Sequence, residues 1–299
     1  MDAGAVVEFE RHRPRLFALA YRMLGSASEA EDAVQETYLR WAGSANAEIR
    51  SPEAWLTTIL VNICRNWLDS ARARRETYLG PWLPEPVATG AGELGPLESV
   101  EQRELVSLAF LTLLERLTAA ERAVFVLREA FGYAHREIAD MLDLTEANSQ
   151  QLYRRATRRV REDRTRFDPA PAHAYALIEK FLTAAQSGDV GALEAMFTAD
   201  IVSVADGGDK INAARRAVVG ASRVARYLVG LLSRDFPGLS LTAEDVNGAP
   251  ALVARTGAAV IGVVGVDFAD GQVSALHLVV NPDKLAYFQR ADHITSRTA

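Results

Sequence analysis

The residues best suited to chemistry in this sequence lie between positions 145 and 161, where cationic and polar side chains are concentrated. Thr145 is a good N-cap, and Leu152, Ala156 and Val160 recur every four residues, which predicts a helix with an apolar inner face. Its other faces carry Tyr153, Arg154, Arg155, Arg158, Arg159 and Arg161. A guanidinium can bond a phosphate or a guanine edge through two hydrogen bonds. The pattern indicates a DNA-binding helix, with a solvent-exposed arginine-rich helix as the alternative.

The residues before this helix predict the rest of a helix-turn-helix. Thr118 and Glu121 form a capping box that starts one helix, and Gly132 ends it. A second helix is predicted from about His135 to Leu142, and Asp143 in the turn after it tolerates a left-handed backbone. A short turn before a basic helix is typical of a domain that reads the major groove. A structural corner is the alternative use of the same motif.

In the segment 171–290 the candidates for acid–base chemistry are Asp206, Asp209, Lys210, Asp267 and His277. A general base needs a pocket and a shifted pKa, and the sequence gives no sign of either. Asp and His residues near turns serve more often as surface or capping groups. The sequence therefore favours binding over catalysis.

Length and composition are those of a globular protein with two or three domains. The chain has 299 residues, a net charge of -6 and one cysteine, Cys64, within an apolar segment. One cysteine excludes an internal disulfide framework and a cysteine metal site, and we expect no cofactor. The first residues lack the apolar core of a signal peptide. The longest apolar run, near 257–266, is too short to span a bilayer, so we expect a cytoplasmic protein without membrane contact.

Residues 5–75 predict a helical domain with an acidic and a basic surface. Ser28 and Glu31 form a second capping box, and the helix that follows exposes Glu29, Asp32, Gln35 and Glu36. Ser51 and Pro52 start a further helix that runs to about residue 75. That helix offers an aromatic face and cations, as single-stranded nucleic acid requires, in Trp55, Asn62, Arg65, Arg72, Arg74 and Arg75. Trp55 is equally well suited to the core.

Two segments of this domain resemble region two of the extracytoplasmic-function sigma factors, subunits that direct bacterial RNA polymerase to promoters. They read AYRMLGSASEAEDAVQETYLRWAG and SPEAWLTTILVNICRNWLDSARARRE. The resemblance implies that Asp32, Gln35 and Glu36 dock on the clamp helices of the largest polymerase subunit. It also implies that the loop near 43–51 and the following helix bind the melted -10 promoter element. Val61 and Asn66 depart from the usual residues of the family, which leaves the -10 sequence open.

The helix-turn-helix, within a domain predicted at 98–166, resembles region four of the same family through the segment HREIADMLDL. The resemblance implies that it reads the -35 element as duplex DNA. The DNA-binding residues that it implies in the first domain are Trp55, Asn62, Arg65, Asn66, Arg72, Arg74 and Arg75. Those implied in the second are Asn148, Ser149, Gln150, Tyr153 and Arg154, with Arg158 and Arg159 on phosphate.

Residues 76–97 form a linker rich in Pro and Gly, which predicts an extended or loop-like chain. It contains WLPEP at 82–86, which resembles the linker motif of the SigJ-like subgroup, whose members have a SnoaL-like C-terminal extension. An exposed tryptophan between prolines needs a groove, or it folds back on the protein as a local anchor. We keep both interpretations.

Residues 171–290 predict an α+β domain that resembles the SnoaL-like cone. Helices near 173–186 and 221–236 accompany strands near 201–204, 239–246, 251–256, 258–268 and 273–280, and Asn247-Gly248 and Asp270-Gly271 are hairpin signals. Two motifs, DGGDK and NPDKL, resemble those of the SigJ-like subgroup, where the extension serves as a built-in regulator. The regulatory interface that this implies comprises Trp82, Leu83, Pro84, Glu85, Pro86, Asp206, Gly207, Gly208, Lys210, Asn281, Pro282, Asp283, Lys284 and Leu285.

The sequence as a whole predicts a multidomain protein with two all-α sigma domains, the second a helix-turn-helix, and an α+β SnoaL-like cone domain. The expected function is that of a non-enzymatic sigma factor whose partners are core RNA polymerase and promoter DNA. One alternative is a DNA-binding regulator that senses a small-molecule ligand in the cone, which would leave the acidic helix unexplained. Another is a fused cyclase or isomerase, which would leave both helical domains unexplained.

Overall fold

The computed structural model describes residues 3–44, 49–76, 78–89, 94, 100–162, 171–234 and 236–298, which form twelve helices and six strands. They divide into two compact units. The first comprises Met1–Thr77, Ala91–Val106 and Phe110–Asp163. The second comprises Tyr78–Gly90, Ser107–Ala109 and Arg164–Ala299. The linker residues 78–89 therefore belong to the C-terminal unit. Both predicted sigma domains fall in the first unit, except for Ser107–Ala109 and the residues after Asp163.

Helices build the first unit. They are α1 (Ala3–Leu24), α2 (Ala27–Ala42), α3 (Pro52–Glu76), α4 (Val100–Glu104), α5 (Leu108–Leu114), α6 (Ala119–Glu129), α7 (His135–Leu142) and α8 (Glu146–Glu162). The capping box at Thr118 and Glu121 is confirmed, and so is the left-handed backbone at Asp143, whose φ is 54°. The capping box predicted at Ser28 is wrong, because the helix starts earlier and Ser26 accepts the hydrogen bond from the Glu29 N–H.

The second unit joins helices to a six-stranded sheet. Its helices are α9 (Pro171–Ser187), α10 (Val190–Met196), α11 (Ala221–Leu232) and α12 (Pro282–Thr298). Its strands are β1 (Phe197–Asp206), β2 (Val218–Val219), β3 (Leu239–Val246), β4 (Ala249–Thr256), β5 (Ala259–Ala269) and β6 (Gln272–Val279). The order is β2-β1-β6-β5-β4-β3, in which β1 and β6 are parallel and the other pairs antiparallel. The two hairpin turns are confirmed by positive φ at Asn247, Gly248, Asp270 and Gly271.

The sheet buries both of its faces. One face packs against α9, α10 and α11 around Phe181, Phe197, Leu228 and Leu276. The other packs against α12 and the linker around Leu83, Val263, Val279 and Phe288. Neither β2 nor α12 was predicted from the sequence, and α12 contributes Leu285 and Phe288 to the cluster on the second face. None of the described helices is long and apolar enough to cross a membrane.

Candidate nucleic-acid interface and linker anchor

The recognition helix α8 presents most of its predicted DNA-contacting residues to solvent. Arg154 and Arg158 are exposed, and Asn148, Gln150 and Tyr153 are half-buried. The hydroxyl of Tyr153 donates to Glu129 at 2.5 Å, which orients the ring along the helix. The helix therefore offers a cationic surface with polar groups near its N-terminal half.

Ser149 is a correction to the predicted set. Its side chain is fully buried, and its hydroxyl lies 3.0 Å from Nδ1 of His135 at the start of α7. Burial and the nearby Arg128 lower the pKa of His135, so the ring is neutral at pH 7 and can share one proton with the hydroxyl. Ser149 therefore joins the two helices of the motif and is not part of the exposed surface of α8.

A buried carboxylate positions the basic residues in the second half of α8. Glu121 is 1% exposed, and its two oxygens lie 3.4 Å from Nε of Arg155 and 2.5 Å from a terminal nitrogen of Arg159. Arg159 keeps 44% of its side-chain surface exposed. Glu121 therefore holds Arg159 in a fixed position in which its exposed surface could meet a DNA phosphate, the contact predicted for it.

Trp55 borders a cleft on the surface of α3. The cleft has a volume of about 480 Å³ and is lined by Ile49, Arg50, Ser51, Ala54, Trp55, Thr58 and Ile59. The Trp55 ring is half-buried and lies 5.7 Å from the ring of Trp41. Trp41 is buried in the core, and Trp55 packs against it at the edge of the cleft. Part of the predicted loop, 45–48, lies outside the described residues.

Further along α3, Asn62 and Arg65 contact the helix-turn-helix. The Asn62 amide donates to the carbonyl of Met141 at 3.3 Å, and Arg65 donates to the carbonyl of Leu142 at 3.3 Å. Both carbonyls belong to the last turn of α7, where helix carbonyls lack intrahelical partners. Asn66 is exposed. Arg72, Arg74 and Arg75 lie in α3, but their side chains are outside the described residues.

The acidic side of α2 has the predicted exposure. Asp32 and Gln35 are exposed, and Glu36 is half-buried and forms an ion pair with Arg40 at 2.5 Å. Leu39, 63% exposed, follows them along the same side of the helix. This surface is free to meet a partner without any change in the packing of α1–α3.

Asp206 anchors the linker to the second unit. Its side chain is fully buried. One oxygen accepts from the Tyr78 hydroxyl at 2.6 Å, and the other accepts from the Leu83 N–H at 2.8 Å. Burial, followed by the hydrogen bond to Asp206, raises the pKa of Tyr78. The phenol therefore stays protonated and continues to donate.

Lys284, at the start of α12, completes this anchor. Its ammonium lies 2.6 Å from Asp206 and also donates to the carbonyl of Leu83. It sits 3.9 Å from the Trp82 ring centroid and 5.0 Å from that of Tyr78, both suitable for cation–π attraction. Asn281 caps α12 and donates to the Tyr78 hydroxyl at 2.8 Å. WLPEP, DGGDK and NPDKL thus meet in one buried polar network.

The glycines of DGGDK allow this network to close. A Cβ on Gly207 would lie 2.4 Å from the Ile211 carbonyl oxygen, and one on Gly208, whose φ is 58°, would lie 2.7 Å from the Asn281 amide. Outside the buried part, Lys210 pairs with Asp283 at 2.6 Å on the surface. Asp209 is exposed and takes no part in the buried contacts.

A second anchor, which sequence reasoning missed, holds the other end of WLPEP. Asn247 is 1% exposed, its side chain accepts from the Val87 N–H at 2.9 Å, and its own N–H donates to the Val87 carbonyl. Thr89 accepts from the Gly248 N–H at 2.9 Å. Between the anchors, Leu83, Pro84, Glu85, Pro86 and Val87 are buried. The Asn-Gly motif predicted only a turn. The same two residues occur in turns that bind another segment and in turns that do not, so the sequence does not distinguish the two.

The interior of the cone contains none of the acid–base candidates. Successive strand residues point to opposite faces, and Ala205, Val266, Leu276 and Leu278 belong to the cluster on the cone side. Asp206, Asp267 and His277 therefore lie on the other face, where His277 and Asp267 pair at 2.9 Å. Asp209 and Lys210 are exposed in a turn. The described residues bring no acid–base pair together inside the cone.

Comparison with known proteins places these sites in a family. Residues 9–74 match the family model "Sigma-70 region 2", and residues 107–160 match "Sigma-70, region 4". The chain is 37% identical over 294 residues to the ECF RNA polymerase sigma factor SigJ of Mycobacterium tuberculosis, covering 93% of this chain and 92% of SigJ. It is 31% identical over 280 residues to the probable sigma factor SigI of the same species, covering 92% of each.

A solved structure agrees with the sequence relatives. The crystal structure of Mycobacterium tuberculosis SigJ superposes with a TM-score of 0.74 at 31% identity, covering 94% of this chain and 98% of that one. The match includes the C-terminal α+β unit as well as the helical unit. The fold is therefore that of a sigma factor with a SnoaL-like domain, and this chain belongs to the extracytoplasmic-function sigma factors. The predicted family and fold class are confirmed.

Proposed function

We propose that this sigma factor binds core RNA polymerase through the acidic side of α2. Asp32, Gln35 and Glu36 share that side and are accessible. Their charge suits a basic partner surface, and electrostatic complementarity speeds association and fixes register. The family membership, carried by 37% identity across nearly the whole of both chains, is the observation that supports this function most strongly.

Promoter recognition is divided between two surfaces. The exposed side of α8 reads the -35 duplex, with Asn148, Gln150, Tyr153 and Arg154 near the bases and Arg158 and Arg159 on phosphate. The cleft beside Trp55 accepts an unstacked base of the -10 strand, and Asn62, Arg65 and Asn66 follow its backbone. Trp55 supports this assignment because one side of its ring borders an open cleft.

The C-terminal domain modulates initiation through the linker and has no catalytic activity. The linker is part of the C-terminal unit at both anchors, so the domain controls the path of the chain that joins the two promoter-reading domains. The absence of acid–base candidates on the cone side of the described strands favours this function over an isomerase. A ligand-sensing regulator remains the second candidate, and it would not need the accessible acidic side of α2.

Transcription with purified core polymerase tests the polymerase contact. The full-length protein is expected to direct initiation from defined starts on a library of upstream fragments from its own genome. Asp32→Lys is expected to lower the affinity for core by about tenfold, since a reversed charge in a complementary interface costs about 1–2 kcal/mol. Asp200→Lys, an exposed charge reversal in the second unit, is the matched control. Equal core binding by both variants contradicts the assignment.

A further inference from the structure

The second unit has a pocket at the end of β1 that neither polymerase binding nor promoter recognition uses. Its volume is about 350 Å³, at the lower end of the range of roughly 300–1,000 Å³ that small-molecule sites occupy. One wall is the linker at 79–81, and the other is the loop at 207–215 between β1 and β2. We call it the linker–loop pocket. A ligand in it would contact the linker and the sheet domain together.

The linker wall of this pocket is fixed on both sides. Asp206 accepts hydrogen bonds from the Tyr78 hydroxyl at 2.6 Å and from the Leu83 N–H at 2.8 Å, so the segment between these two residues is held at its ends. Gly80 has a φ of 88°, and a Cβ on it would lie 3.7 Å from Cα of Arg215 in the opposite wall. A wall that is already in place costs a ligand little ordering entropy.

The loop wall is held by its own hydrogen bonds. The Ile211 N–H donates to the Gly207 carbonyl at 3.0 Å, and the Ala213 N–H donates to the Ile211 carbonyl at 2.8 Å. The ammonium of Lys210 pairs with Asp283 at 2.6 Å. Lys210 therefore serves the structure of the loop, and its charge is largely neutralised.

The polar groups of the lining that remain available favour a singly charged anion. Arg215 and Asn212 are exposed, and neither side chain has a hydrogen bond or ion pair with a described residue. A guanidinium binds a carboxylate through two parallel hydrogen bonds, and an amide adds one more donor. Asp209 places one negative charge in the same lining, which opposes a multiply charged anion such as phosphate.

The apolar part of the lining is accessible to solvent. Leu79 of the linker is 45% exposed and Ile211 of the loop is 47% exposed. They are two of the six large apolar side chains that are exposed in the described part of the chain, and both line this pocket. Pro81, half-buried, lies beside them in the lining. An apolar ligand body would remove this surface from water, which is favourable.

We propose that the linker–loop pocket binds a small organic monocarboxylate with a compact apolar body. The carboxylate pairs with Arg215, and the apolar body covers Leu79 and Ile211. Because the ligand contacts both walls, its binding holds the linker against the loop. The site needs neither polymerase nor DNA, so this inference goes beyond the proposed function.

Substitution of Arg215 tests the site directly. The probes are a panel of aliphatic and aromatic monocarboxylates from butyrate to phenylpropionate, their primary amides as neutral counterparts, and inorganic phosphate. Binding to the full-length protein is measured by saturation-transfer NMR. At least one carboxylate is expected to bind more tightly than its amide and than phosphate. Arg215→Gln should weaken that binding about tenfold, because a charge-assisted pair is lost.

The matched control is Arg223→Gln, which replaces an exposed arginine of α11 outside the pocket. It should bind the same carboxylate as tightly as the wild-type protein does. Three results overturn the proposal: no carboxylate binds, the amide or phosphate binds as tightly as the carboxylate, or the two variants bind it equally.

Hydrogen exchange tests whether the ligand holds the linker. The Leu83 N–H is bonded to Asp206, so its exchange reports the local opening of the linker. The carboxylate that binds, at ten times its dissociation constant, is expected to slow this exchange about tenfold in the wild-type protein. Unchanged exchange in protein that binds the probe overturns the proposed contact with the linker. Both measurements are made without polymerase, so their failure is distinguishable from a failure of the proposed function.

Discussion

Two segments of this chain are held in place by different kinds of contact. The linker is held in the second unit by Asp206 and Lys284, whose side chains are 0% and 8% exposed. The polar contacts of helix α7 and the segment before it come from Asn62, Arg65 and Tyr133, all half-buried, beside the buried apolar face of the helix. Removing one partner of a buried charge pair is costly because the other remains desolvated, whereas half-exposed donors can exchange to water or DNA. The difference predicts that loss of one polar contact is more costly at the linker than at α7.

The largest effect is expected from Lys284→Met. It leaves the carboxylate of Asp206 buried without its cation, which should destabilise the second unit by roughly 3–5 kcal/mol. Urea denaturation of the full-length protein measures the change. Lys210→Met, which removes the surface pair with Asp283, should change stability little. Similar destabilisation by the two substitutions would contradict the distinction between a buried and an exposed pair.

A second large effect is expected from Leu83→Ala in the linker. Leu83 is fully buried between the sheet and α12, and such truncations cost about 2–5 kcal/mol. The readout is the thermal transition of the second unit by calorimetry. Leu79→Ala, at a position 45% exposed in the same linker, is the control and should leave the transition unchanged. If the linker is fixed on the sheet, Leu83→Ala lowers the transition temperature and Leu79→Ala does not. If the linker is detached from the sheet, neither substitution changes it.

Asn247→Ala should have a smaller effect, of about 1–3 kcal/mol, from a lost acceptor and a strained backbone. The Val87 N–H donates a hydrogen bond to the Asn247 side chain. Hydrogen exchange at this N–H therefore reports the free energy of local opening. Asn247→Gly relieves the strain at φ 54° but removes the same acceptor. Faster exchange in both variants identifies the hydrogen bond as the cause. Unchanged exchange in both would mean that the second anchor does not hold the linker.

The smallest effect is expected from Tyr133→Phe, between α6 and α7, where the hydroxyl contacts Arg15 and Thr57. It removes one half-exposed hydroxyl, which should cost about 0.5–1.5 kcal/mol and leave the first unit folded by circular dichroism. Chemical denaturation measures the difference from wild type. A loss as large as that from Lys284→Met would contradict the distinction between the half-buried contacts of Tyr133 and the buried linker anchor.

Most of the fold was predicted from local patterns, because each of these patterns depends only on residues that are close together along the chain. The capping box at Thr118, the left-handed turn at Asp143 and the hairpin at Asn247-Gly248 require only residues within four positions of one another. The capping box at Ser28 was misplaced because Ser26 is an equally good cap two residues earlier. Helix α12 was missed since its start, NPDKL, was interpreted only as a motif.

The candidate sites were less accessible from sequence, because they join distant parts of the chain. The resemblance placed Asp206 and Lys284 in one interface. It did not predict that they pair with each other and that both bond to the backbone of Leu83. The anchoring role of Asn247 and the burial of Ser149 depend on partners 160 and 14 residues away. No pattern around Asn62 and Arg65 indicates that α7 is their partner. Every residue carries a backbone carbonyl, so the sequence does not mark which carbonyls accept these hydrogen bonds.

The central claim is that this protein is a sigma factor whose C-terminal domain acts through the linker. Run-off transcription with core polymerase, comparing the full-length protein, a form ending near Pro169 and Lys284→Met, tests it directly. We expect all three to initiate at the same start, with Lys284→Met changing the yield in the same direction as the truncation. If none binds core or initiates while the full-length protein still binds duplex DNA, the sigma function is wrong. If truncation and substitution leave the yield unchanged, the linker has no regulatory role.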